Sequence, residues 1–491
     1  MYSLKELLDG AEYTCKREID GIYVTGIKSN SRDVLPGNAF VCLKGCKKNG
    51  EDYTAEAIRR GAKVIICDKT CGKCDKNAVF VRVPSVRSVY AKMVSAMYGN
   101  PSRGLKIIAV TGTNGKTTVC QMIASAICES GKRCAFIGTL GAFFEGKRTS
   151  LDTMTTPDPE VLYALLKEYK DGGAEYVVME ASSHALSLGK LDGLTPEIAA
   201  ITNLTAEHLD FHGNMDSYYE AKKILFERAK KGVFLCDDFY TVKMYDEASC
   251  EKVLCSVNGN EAKYRAENIG YSFENGTVFT LVKGESRLPL HSPIPAEFTV
   301  SNALLASAVL SELGFDDISI YRGLASLRLV KGRMERVASD GEISVFIDFA
   351  HTPDALSKLL NSVRRIRRSE QRIVTLFGCG GDRDRTKRSL MGAVASRLSD
   401  FVIITEDNSR SEEPSAIIDE IMLGFDKSCP HVRIENRKKA IEYAVMNAEK
   451  GDIILLCGKG HETYEIGKNG AVPFSERDIV TQALKMRKKG K

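Results

Sequence analysis

The segment Thr111-Gly112-Thr113-Asn114-Gly115-Lys116-Thr117-Thr118 has the residue types of a phosphate-binding loop. Glycines let the backbone turn its N–H groups towards a phosphate, and a lysine here can reach the β and γ phosphates of a nucleotide. The hydroxyl of Thr117 could bind Mg²⁺. The Gly112-x-x-Gly115-Lys spacing is two residues shorter than the general pattern. A glycine and threonine turn with a solvated lysine is therefore the alternative interpretation.

A second group of residues further along the chain could hold a metal ion. Glu180 follows a strand-like run, and three of the 7 histidines fall between His184 and His212. A carboxylate at the end of a strand beside a phosphate loop suits a Mg²⁺ ligand or a base that holds water. A single histidine is more often a structural hydrogen-bonding group. Together with the phosphate loop, however, this group favours a metal site.

These residues need a scaffold that brings them together. Residues 106–110 read as a buried strand, and apolar residues then recur at helical spacing up to Gly131, which suits a helix C-terminus. Strand patterns return at residues 176–179, 198–201, 343–347, 372–377, 401–404 and 453–456. Helical stretches separate the earlier ones, as in parallel sheets with crossover helices. Since ligands bind beyond the carboxyl ends of such strands, the polar motifs should gather along one edge.

Two turn-rich points divide the chain, whose 491 residues correspond to about three domains. Tyr98-Gly99-Asn100-Pro101-Ser102 ends a helical run over residues 86–97, and Val330-Lys331-Gly332-Arg333 precedes a strand. We predict an N-terminal domain over residues 1–101, a central domain over 102–331 and a C-terminal domain over 332–491.

Composition excludes several classes of protein. The net charge of +5 is too mild for a nucleic-acid-binding surface, and no segment approaches 18 consecutive apolar residues. The first residues lack the apolar core of a signal peptide, so we expect a cytoplasmic protein. The 15 cysteines are scattered and odd in number, which predicts reduced thiols. Cys67, Cys71 and Cys74 include one C-x-x-C without a second pair, which favours loop thiols over a zinc site.

The motifs together resemble the Mur ligase family, ATP-dependent amide ligases of peptidoglycan precursor synthesis. The resemblance covers nearly the whole chain and implies an α/β fold with three domains: a small N-terminal α/β domain, a central P-loop parallel-sheet ATPase domain and a C-terminal Rossmann-like domain. It rests on T-G-T-N-G-K-T-T at 111–118, M-E-A-S-S-H at 179–184, H-L-D-F-H-G at 208–213, A-K at 221–222, G-R-M-E at 332–335, D-F-A-H-T-P at 348–353 and G-K-G-H-E at 458–462.

The resemblance also implies roles for individual residues. Lys116, Glu180, His208 and Lys222 would form the catalytic group. The Mg²⁺ ligands would be Thr117, Glu180, His208 and Lys222, with Lys222 carbamylated, since a carbamate offers oxygens that an ammonium lacks. A solvated helix lysine is the alternative for Lys222. The residues that would bind ATP are Gly112, Thr113, Asn114, Gly115, Lys116, Thr117, Thr118, Asn302, Arg333, Asp348 and His351.

Within the family, the chain most resembles the members that add the third residue of the stem peptide. Asn30-Ser31-Arg32-Asp33 followed by Pro36-Gly37 resembles an element whose serine, here Ser31, contacts the uracil-nucleotide end of the substrate. The residues matching those that hold the muramoyl dipeptide are Thr155, Thr156, Ser182 and Lys190, the last at a place where arginine is usual.

The segment Asp407-Asn408-Ser409-Arg410 resembles the D-N-P-R signature of the diaminopimelate-adding members. Meso-diaminopimelate has a second carboxylate, which lysine lacks and which an arginine fork can bind. The resemblance assigns to this amino-acid pocket Arg383, Asp407, Asn408, Arg410, Gly458 and Glu462. Because Ser409 replaces the proline of the signature, L-lysine stays open as the alternative amino acid.

The resemblance therefore implies a monomeric ligase with Mg²⁺ and no nucleic-acid partner. It would use ATP to join meso-diaminopimelate to the D-Glu γ-carboxylate of UDP-MurNAc-L-Ala-D-Glu through an acyl phosphate. Two alternatives remain: a folylpolyglutamate synthetase, which would not explain Ser31 or Arg410, and a nucleotide-dependent regulatory protein without ligase activity.

Overall fold

Three main β-sheets follow one another along the chain in the computed structural model. The structure describes residues 1–45, 48–70, 75–150, 154–259, 261–327, 330–339 and 342–489. Helices cover these sheets, and the predicted α/β fold with three sheet-forming parts is confirmed.

The N-terminal part contains a five-stranded sheet in the order β2-β7-β6-β5-β4, with only β2 antiparallel to its neighbour. Strands β1 and β3 form a separate antiparallel pair. The elements are β1 Tyr2–Ser3, α1 Leu4–Leu7, β2 Thr14–Cys15, β3 Tyr23–Val24, β4 Ile27–Lys28, β5 Ala39–Val41, α2 Thr54–Arg59, β6 Val64–Asp68, β7 Val79–Val83 and α3 Val86–Met97, with 3₁₀ turns at Ser31–Asp33, Gly50–Tyr53 and Pro101–Gly104.

The central part holds an 11-stranded sheet in the order β11-β10-β9-β12-β8-β13-β14-β15-β16-β17-β18. Its strands are β8 Lys106–Thr111, β9 Cys134–Gly138, β10 Gly141–Phe144, β11 Lys147–Ser150, β12 Tyr176–Glu180, β13 Ile198–Ile201, β14 Lys231–Leu235, β15 Glu251–Ser256, β16 Tyr264–Ser272, β17 Gly276–Lys283 and β18 Ser286–Ser292. Its helices are α4 Lys116–Glu129, α5 Pro159–Asp171, α6 Ser183–Ser187, α7 Leu209–His212, α8 Met215–Lys223, α9 Phe239–Glu247, α10 Glu297–Glu312 and α11 Asp317–Ala325.

Strand β8 lies inside this sheet because it is apolar on both faces. Residues 107–110 are at most 1% exposed, and β8 pairs in parallel with β12 and β13. The edges differ from the predicted parallel sheet, because β10, β11, β17 and β18 are antiparallel to their neighbours. A tight turn explains one edge: Glu145 and Gly146, both with positive φ, connect β10 to β11. Such two-residue turns join antiparallel strands, whereas parallel strands need a longer crossover.

The C-terminal part has a six-stranded sheet in the order β19-β20-β24-β21-β22-β23, with only β19 antiparallel. Strands β25 and β26 form a small hairpin. The elements are β19 Glu335–Ser339, β20 Ser344–Asp348, α12 Pro353–Ile366, β21 Ile373–Phe377, α13 Thr386–Leu398, β22 Phe401–Ile404, α14 Pro414–Met422, β23 His431–Arg433, α15 Arg437–Met446, β24 Ile453–Cys457, β25 Tyr464–Gly467, β26 Gly470–Pro473 and α16 Glu476–Lys489.

One hydrophobic cluster joins the central and C-terminal parts. It runs from the apolar stripe of α4 through Val300 and Leu304 of α10 to Leu356 and Leu359 of α12. Burial of this apolar surface holds the two sheets in a fixed relation, so their carboxyl edges can form a common site. Within the described part of the chain, no helix combines the length and hydrophobicity that a membrane span needs.

The cysteines that the structure describes are all free, as predicted. Cys67, Cys120 and Cys457 are buried, whereas Cys128 is exposed at the end of α4. Cys71 and Cys74 of the C-x-x-C lie outside the described residues.

Candidate active site

The phosphate loop connects β8 to α4 and depends on two glycines with positive φ. Gly112 has a φ of 134° and Gly115 a φ of 88°. A Cβ atom at Gly112 would collide with the Thr202 hydroxyl, and one at Gly115 with the Asn302 amide. Only glycine therefore allows the backbone to approach these side chains so closely. Lys116 lies over the loop, where its Nζ donates to the carbonyls of Gly112 at 2.9 Å and Thr113 at 2.8 Å.

The carboxylate of Glu180 lies beside this loop, at the carboxyl end of β12. The Thr117 hydroxyl donates to its Oε1 at 2.9 Å, and the Thr139 backbone N–H donates to the same oxygen at 2.8 Å. The Thr139 hydroxyl donates to Oε2 at 3.1 Å, and Glu180 is 1% exposed. Carboxylate and hydroxyl oxygens are the donors that Mg²⁺ prefers. The pair formed by Thr117 and Glu180 therefore fits this ion.

Lys222 is a buried amine next to the same loop. Its Nζ donates to the Gly112 carbonyl at 2.9 Å and lies 4.7 Å from the ring centre of Tyr218. Lys116 and Lys222 thus share one acceptor. Burial, together with the positive charge of Lys116, holds the pKa of Lys222 well below its ordinary value. A lowered pKa raises the fraction of neutral amine, whose lone pair can act as a nucleophile.

Three histidines form a cluster next to the two lysines. The rings of His184 and His208 are 4.8 Å apart, and those of His184 and His212 are 5.6 Å apart. Burial lowers the pKa of both His208 and His212 to about 4. His208 is therefore neutral at pH 7, and a ring nitrogen is free to bind a metal.

Glu207 connects this cluster to the C-terminal part. Its Oε1 lies 3.4 Å from Nε2 of His351, and its Oε2 lies 3.8 Å from Nε2 of His208. Burial acts to raise the pKa of Glu207, but the His351 hydrogen bond and the nearby positive charges hold it below its ordinary value. In the described residues, no group of three or more His, Cys, Asp or Glu side chains forms a metal cage. Of the four predicted metal ligands, Thr117 and Glu180 are joined by a hydrogen bond.

A cavity of about 570 Å³ opens beside the phosphate loop, between the central and C-terminal parts. The ATP-site residues that the sequence predicted here are Asn114, Gly115, Thr118, Asn302, Arg333 and Asp348. Asp348 ends β20 and accepts hydrogen bonds from the N–H groups of Met334 and Ala350, and burial raises its pKa. These six predicted nucleotide residues thus share one cavity, whereas His351, also predicted to bind ATP, lines a second cavity.

A carboxylate of the C-terminal part also bonds to the phosphate loop. Asp354, in the first turn of α12, accepts hydrogen bonds from the Asn114 amide at 3.0 Å and the Thr205 hydroxyl at 3.1 Å. Both donors belong to the central part. This carboxylate therefore fixes the C-terminal part against the loop.

A second cavity, of about 350 Å³, lies where the histidine cluster meets the C-terminal sheet. On the C-terminal side it contains every residue predicted for the amino-acid pocket, which are Arg383, Asp407, Asn408, Arg410, Gly458 and Glu462. On the central side it is lined by His184, Glu207 and His208. The strands β21, β22 and β24 end here, as expected for a parallel sheet.

Among the charged side chains that line this second cavity are the guanidiniums of Arg383 and Arg410 and the carboxylate of Glu462. Arg410 donates through Nη1 to the carbonyls of Gly381 at 2.7 Å and Asn408 at 3.3 Å. Burial lowers the pKa of Arg410, and repulsion by the positive charge of Arg383 lowers it further. Glu462 accepts a hydrogen bond from the Asn408 amide at 2.7 Å. The cavity can therefore take a ligand with both a carboxylate and an ammonium group.

Three comparisons with known proteins identify the family. Residues 23–98 match the Mur ligase family, catalytic domain; residues 110–310 match the Mur ligase middle domain; and residues 332–460 match the Mur ligase, glutamate ligase domain. The UDP-N-acetylmuramoyl-L-alanyl-D-glutamate--2,6-diaminopimelate ligase 1 of Clostridium acetobutylicum is 37% identical over 484 residues, which cover 98% of this chain and 99% of that protein. The chain belongs to the Mur ligase family.

Other relatives agree with this assignment. The UDP-N-acetylmuramoyl-L-alanyl-D-glutamate--2,6-diaminopimelate ligase of Caldanaerobacter subterraneus subsp. tengcongensis is 38% identical over 483 residues, 98% of each chain. A solved structure of a ligase of the same name has a TM-score of 0.71 and 31% identity, covering 99% of both chains. The folylpolyglutamate synthase of Mycobacterium tuberculosis has a TM-score of 0.64 at 19% identity, covering 76% of this chain and 92% of that one, and shares the fold alone. The chain is thus an ATP-dependent Mur ligase.

The residues predicted to hold the UDP substrate of this Mur ligase come from the N-terminal and central parts of the chain. Thr156 donates to the Glu180 carbonyl at 2.8 Å and contacts Ser182, while the Thr155 hydroxyl is 3.1 Å from that of Thr139. Lys190 pairs with Asp158 at 2.8 Å. Ser31, in contrast, lies in the N-terminal part, is 5% exposed and donates to Glu56. Its hydroxyl is therefore already engaged.

Sequence reasoning missed several residues of this Mur ligase site. Thr139 directly follows β9, so the rule that polar residues gather at strand ends could have found it. Asp354 was quoted in no motif, and no local pattern marks a residue that bonds across two parts of the chain. Lys459 lies inside the G-K-G-H-E segment, but its burial could not be read from that segment.

Proposed function

We propose that this Mur ligase joins meso-diaminopimelate to the γ-carboxylate of D-Glu in UDP-MurNAc-L-Ala-D-Glu, with conversion of ATP to ADP and phosphate. The observation that carries the proposal is the second cavity. It combines the Arg383 and Arg410 guanidiniums with Glu462, and it adjoins the histidines beside the phosphate loop. The names of the relatives support the same amino acid.

The proposed nucleotide site is the cavity of about 570 Å³ together with the phosphate loop. The N–H groups at the start of α4 would face the phosphates, and Lys116 would exchange its loop carbonyls for phosphate oxygens. Arg333, stacked 4.8 Å from the Phe349 ring centre, would bring positive charge from the C-terminal part. These cations would offset the repulsion between the phosphates and an approaching carboxylate.

For the metal, we propose Thr117, Glu180, His208 and a carbamylated Lys222 as ligands. When bound, Mg²⁺ would neutralise charge on the transferring phosphoryl group. Lys222 is suited to carbamylation because its pKa is depressed, which favours the neutral, nucleophilic form of the amine. Its nitrogen would attack the carbon of CO₂, a C–O π pair would move to oxygen, and the nitrogen would lose a proton.

The chain's own groups would position the substrates for two chemical steps. An oxygen of the D-Glu γ-carboxylate attacks the γ-phosphorus of ATP, ADP leaves, and an acyl phosphate forms. The amine of diaminopimelate then attacks the acyl carbon, the C–O bond breaks, phosphate leaves, and the nitrogen loses a proton. Positioning is a large part of catalysis in such a reaction, because three substrates must meet.

In the amino-acid site, Arg410 and Arg383 would bind the distal carboxylate, and Glu462 would bind the distal amine. A carboxylate placed between two repelling guanidiniums stabilises both of them. L-lysine lacks that carboxylate and would leave the two cations uncompensated.

We further propose that the domains are residues 1–101, 102–331 and 332–491. The UDP end of the substrate would bind near Ser31, and a monomer would carry the whole site.

The test is an amino-acid panel assayed by phosphate release with ATP and the UDP-muramoyl dipeptide. We expect turnover with meso-diaminopimelate and little with L-lysine. The Lys116→Ala variant should lose amino-acid-dependent ADP release. Turnover with L-lysine but not diaminopimelate would refute the specificity. Turnover with folate in place of the UDP dipeptide, or ATP binding without ADP release, would refute the reaction.

A further inference from the structure

Lys459 is a fully buried lysine behind Asp407 and Asn408, two residues that line the amino-acid cavity. It follows Gly458 at the end of β24 and has 0% exposure. Its Nζ donates to Oδ1 of Asn408 at 3.0 Å and to the Tyr464 carbonyl at 3.3 Å, and it lies 3.5 Å from Asp407. A buried charge is costly unless it is paired and hydrogen-bonded. Lys459 meets that condition through groups of the amino-acid pocket.

These contacts determine which way the Asn408 amide points. Its Oδ1 accepts two hydrogen bonds, from Lys459 Nζ and from the Ile466 backbone N–H at 2.9 Å. Its Nδ2 donates to Glu462 at 2.7 Å. A flipped amide would direct its NH₂ group at two donors and its oxygen at a carboxylate. The amide is therefore held with its donor towards Glu462.

The Asn408 side-chain amide donates to the carboxylate of Glu462, which lines the cavity. Burial raises its pKa, the Asn408 hydrogen bond and the charges of Lys459 and His351 oppose that rise, and Asp407 adds to it. Arg410 and Tyr464 also lie within electrostatic range. Lys459 thus acts on Glu462 in two ways, by its charge and through the amide that it orients.

We propose that Lys459 is a positioning residue for the amino-acid substrate, which orients Asn408 so that Glu462 is fixed and charged to receive the distal ammonium group of diaminopimelate. This inference rests on the proposed function, because it needs a substrate with a distal amine. It assigns to Lys459 no contact with the substrate.

The main test is the Lys459→Met variant, which retains an unbranched side chain and removes the ammonium. We expect the KM for meso-diaminopimelate to rise about tenfold or more, whereas kcat and the KM for ATP change less than about threefold. The acid limb of kcat/KM for diaminopimelate should move to higher pH, because loss of a positive neighbour raises the pKa of Glu462. A merely structural lysine would not shift that limb. The matched control is Lys468→Met, since Lys468 is exposed on the neighbouring hairpin and pairs with Glu413.

A second variant leaves the Lys459 ammonium in place. Asn408→Asp retains an acceptor for Lys459 but turns a carboxylate oxygen towards Glu462, so it should also raise the KM for diaminopimelate at least tenfold. If the wild type does not use diaminopimelate, the proposed function fails. If the wild type uses it, and Asn408→Asp or a folded Lys459→Met leaves both the KM and the pH profile unchanged, the positioning inference is overturned.

Discussion

Replacing Arg410 by lysine tests how the amino-acid cavity discriminates between substrates. Arg410 uses Nη1 on the Gly381 and Asn408 carbonyls, which leaves its other N–H groups for a ligand. Lysine preserves the charge but supplies a single donor group in place of the planar fork. Both residues tolerate the left-handed backbone at this position, where φ is 51°, equally well. The substitution therefore changes the fork and leaves the backbone conformation alone.

The expected magnitude follows from the loss of one charge-assisted hydrogen bond. Such bonds contribute about 1.5 to 3 kcal/mol, which corresponds to a fall of roughly 10- to 150-fold in kcat/KM for meso-diaminopimelate. L-lysine has no second carboxylate, so its kcat/KM, measured at high concentration, should change less than about threefold. The ratio of the two kcat/KM values is thus the sensitive quantity.

The assay is phosphate release at varied amino acid, with ATP and the UDP dipeptide saturating. The control is Arg385→Lys, because Arg385 is exposed and pairs with Glu420. Unchanged kcat/KM for diaminopimelate in Arg410→Lys would refute the assigned role of the fork. An equal fall in kcat/KM for both amino acids would also refute it, since Arg410 would then not bind the distal carboxylate.

Two further predictions concern the contact between the parts and the stability of the central one. Asp354→Asn weakens the hydrogen bonds from Asn114 and Thr205. We therefore expect the KM for ATP to rise about tenfold in steady-state assays. An unchanged KM would contradict the role of Asp354 in joining the two parts at the phosphate loop. Glu312 accepts hydrogen bonds from two lysines and Tyr264; burial would raise its pKa, but these bonds lower it to about 2. A depressed pKa stabilises the fold above about pH 4.5 and loses that effect as pH falls towards 2. In urea unfolding, Glu312→Gln should therefore lower the free energy of unfolding by up to about 3 kcal/mol at pH 7 and by progressively less below pH 5. A difference in unfolding free energy between wild type and variant that does not change with pH would contradict this prediction.

Local patterns were sufficient for the parallel strands near the site. Residues 106–110 were predicted as a strand and β8 is Lys106–Thr111; residues 198–201 were predicted and β13 is Ile198–Ile201. A strand that is buried on both faces is a short run of apolar residues, so a few positions suffice to predict it. The antiparallel edges were not predicted, because β16, β17 and β18 have mixed burial patterns whose partners are decided by turns.

Individual hydrogen bonds between distant segments could not be predicted. The bond between Asn114 and Asp354 joins residues 240 positions apart, and the bond between Asn408 and Glu462 joins residues 54 positions apart. No periodicity spans such separations. The site was found in outline because its motifs end strands, whereas its hydrogen-bond network was not.

The sequence by itself determined the kinds of groups available: a phosphate loop, carboxylates, histidines and arginines at the ends of apolar strands. Residue type and local backbone preference depend on short segments, so these groups can be predicted from the sequence. The tertiary structure alone decided the state of those groups. Lys222 has a depressed pKa and Asn408 has one amide orientation, because burial and hydrogen bonding depend on neighbours that only the folded chain brings together.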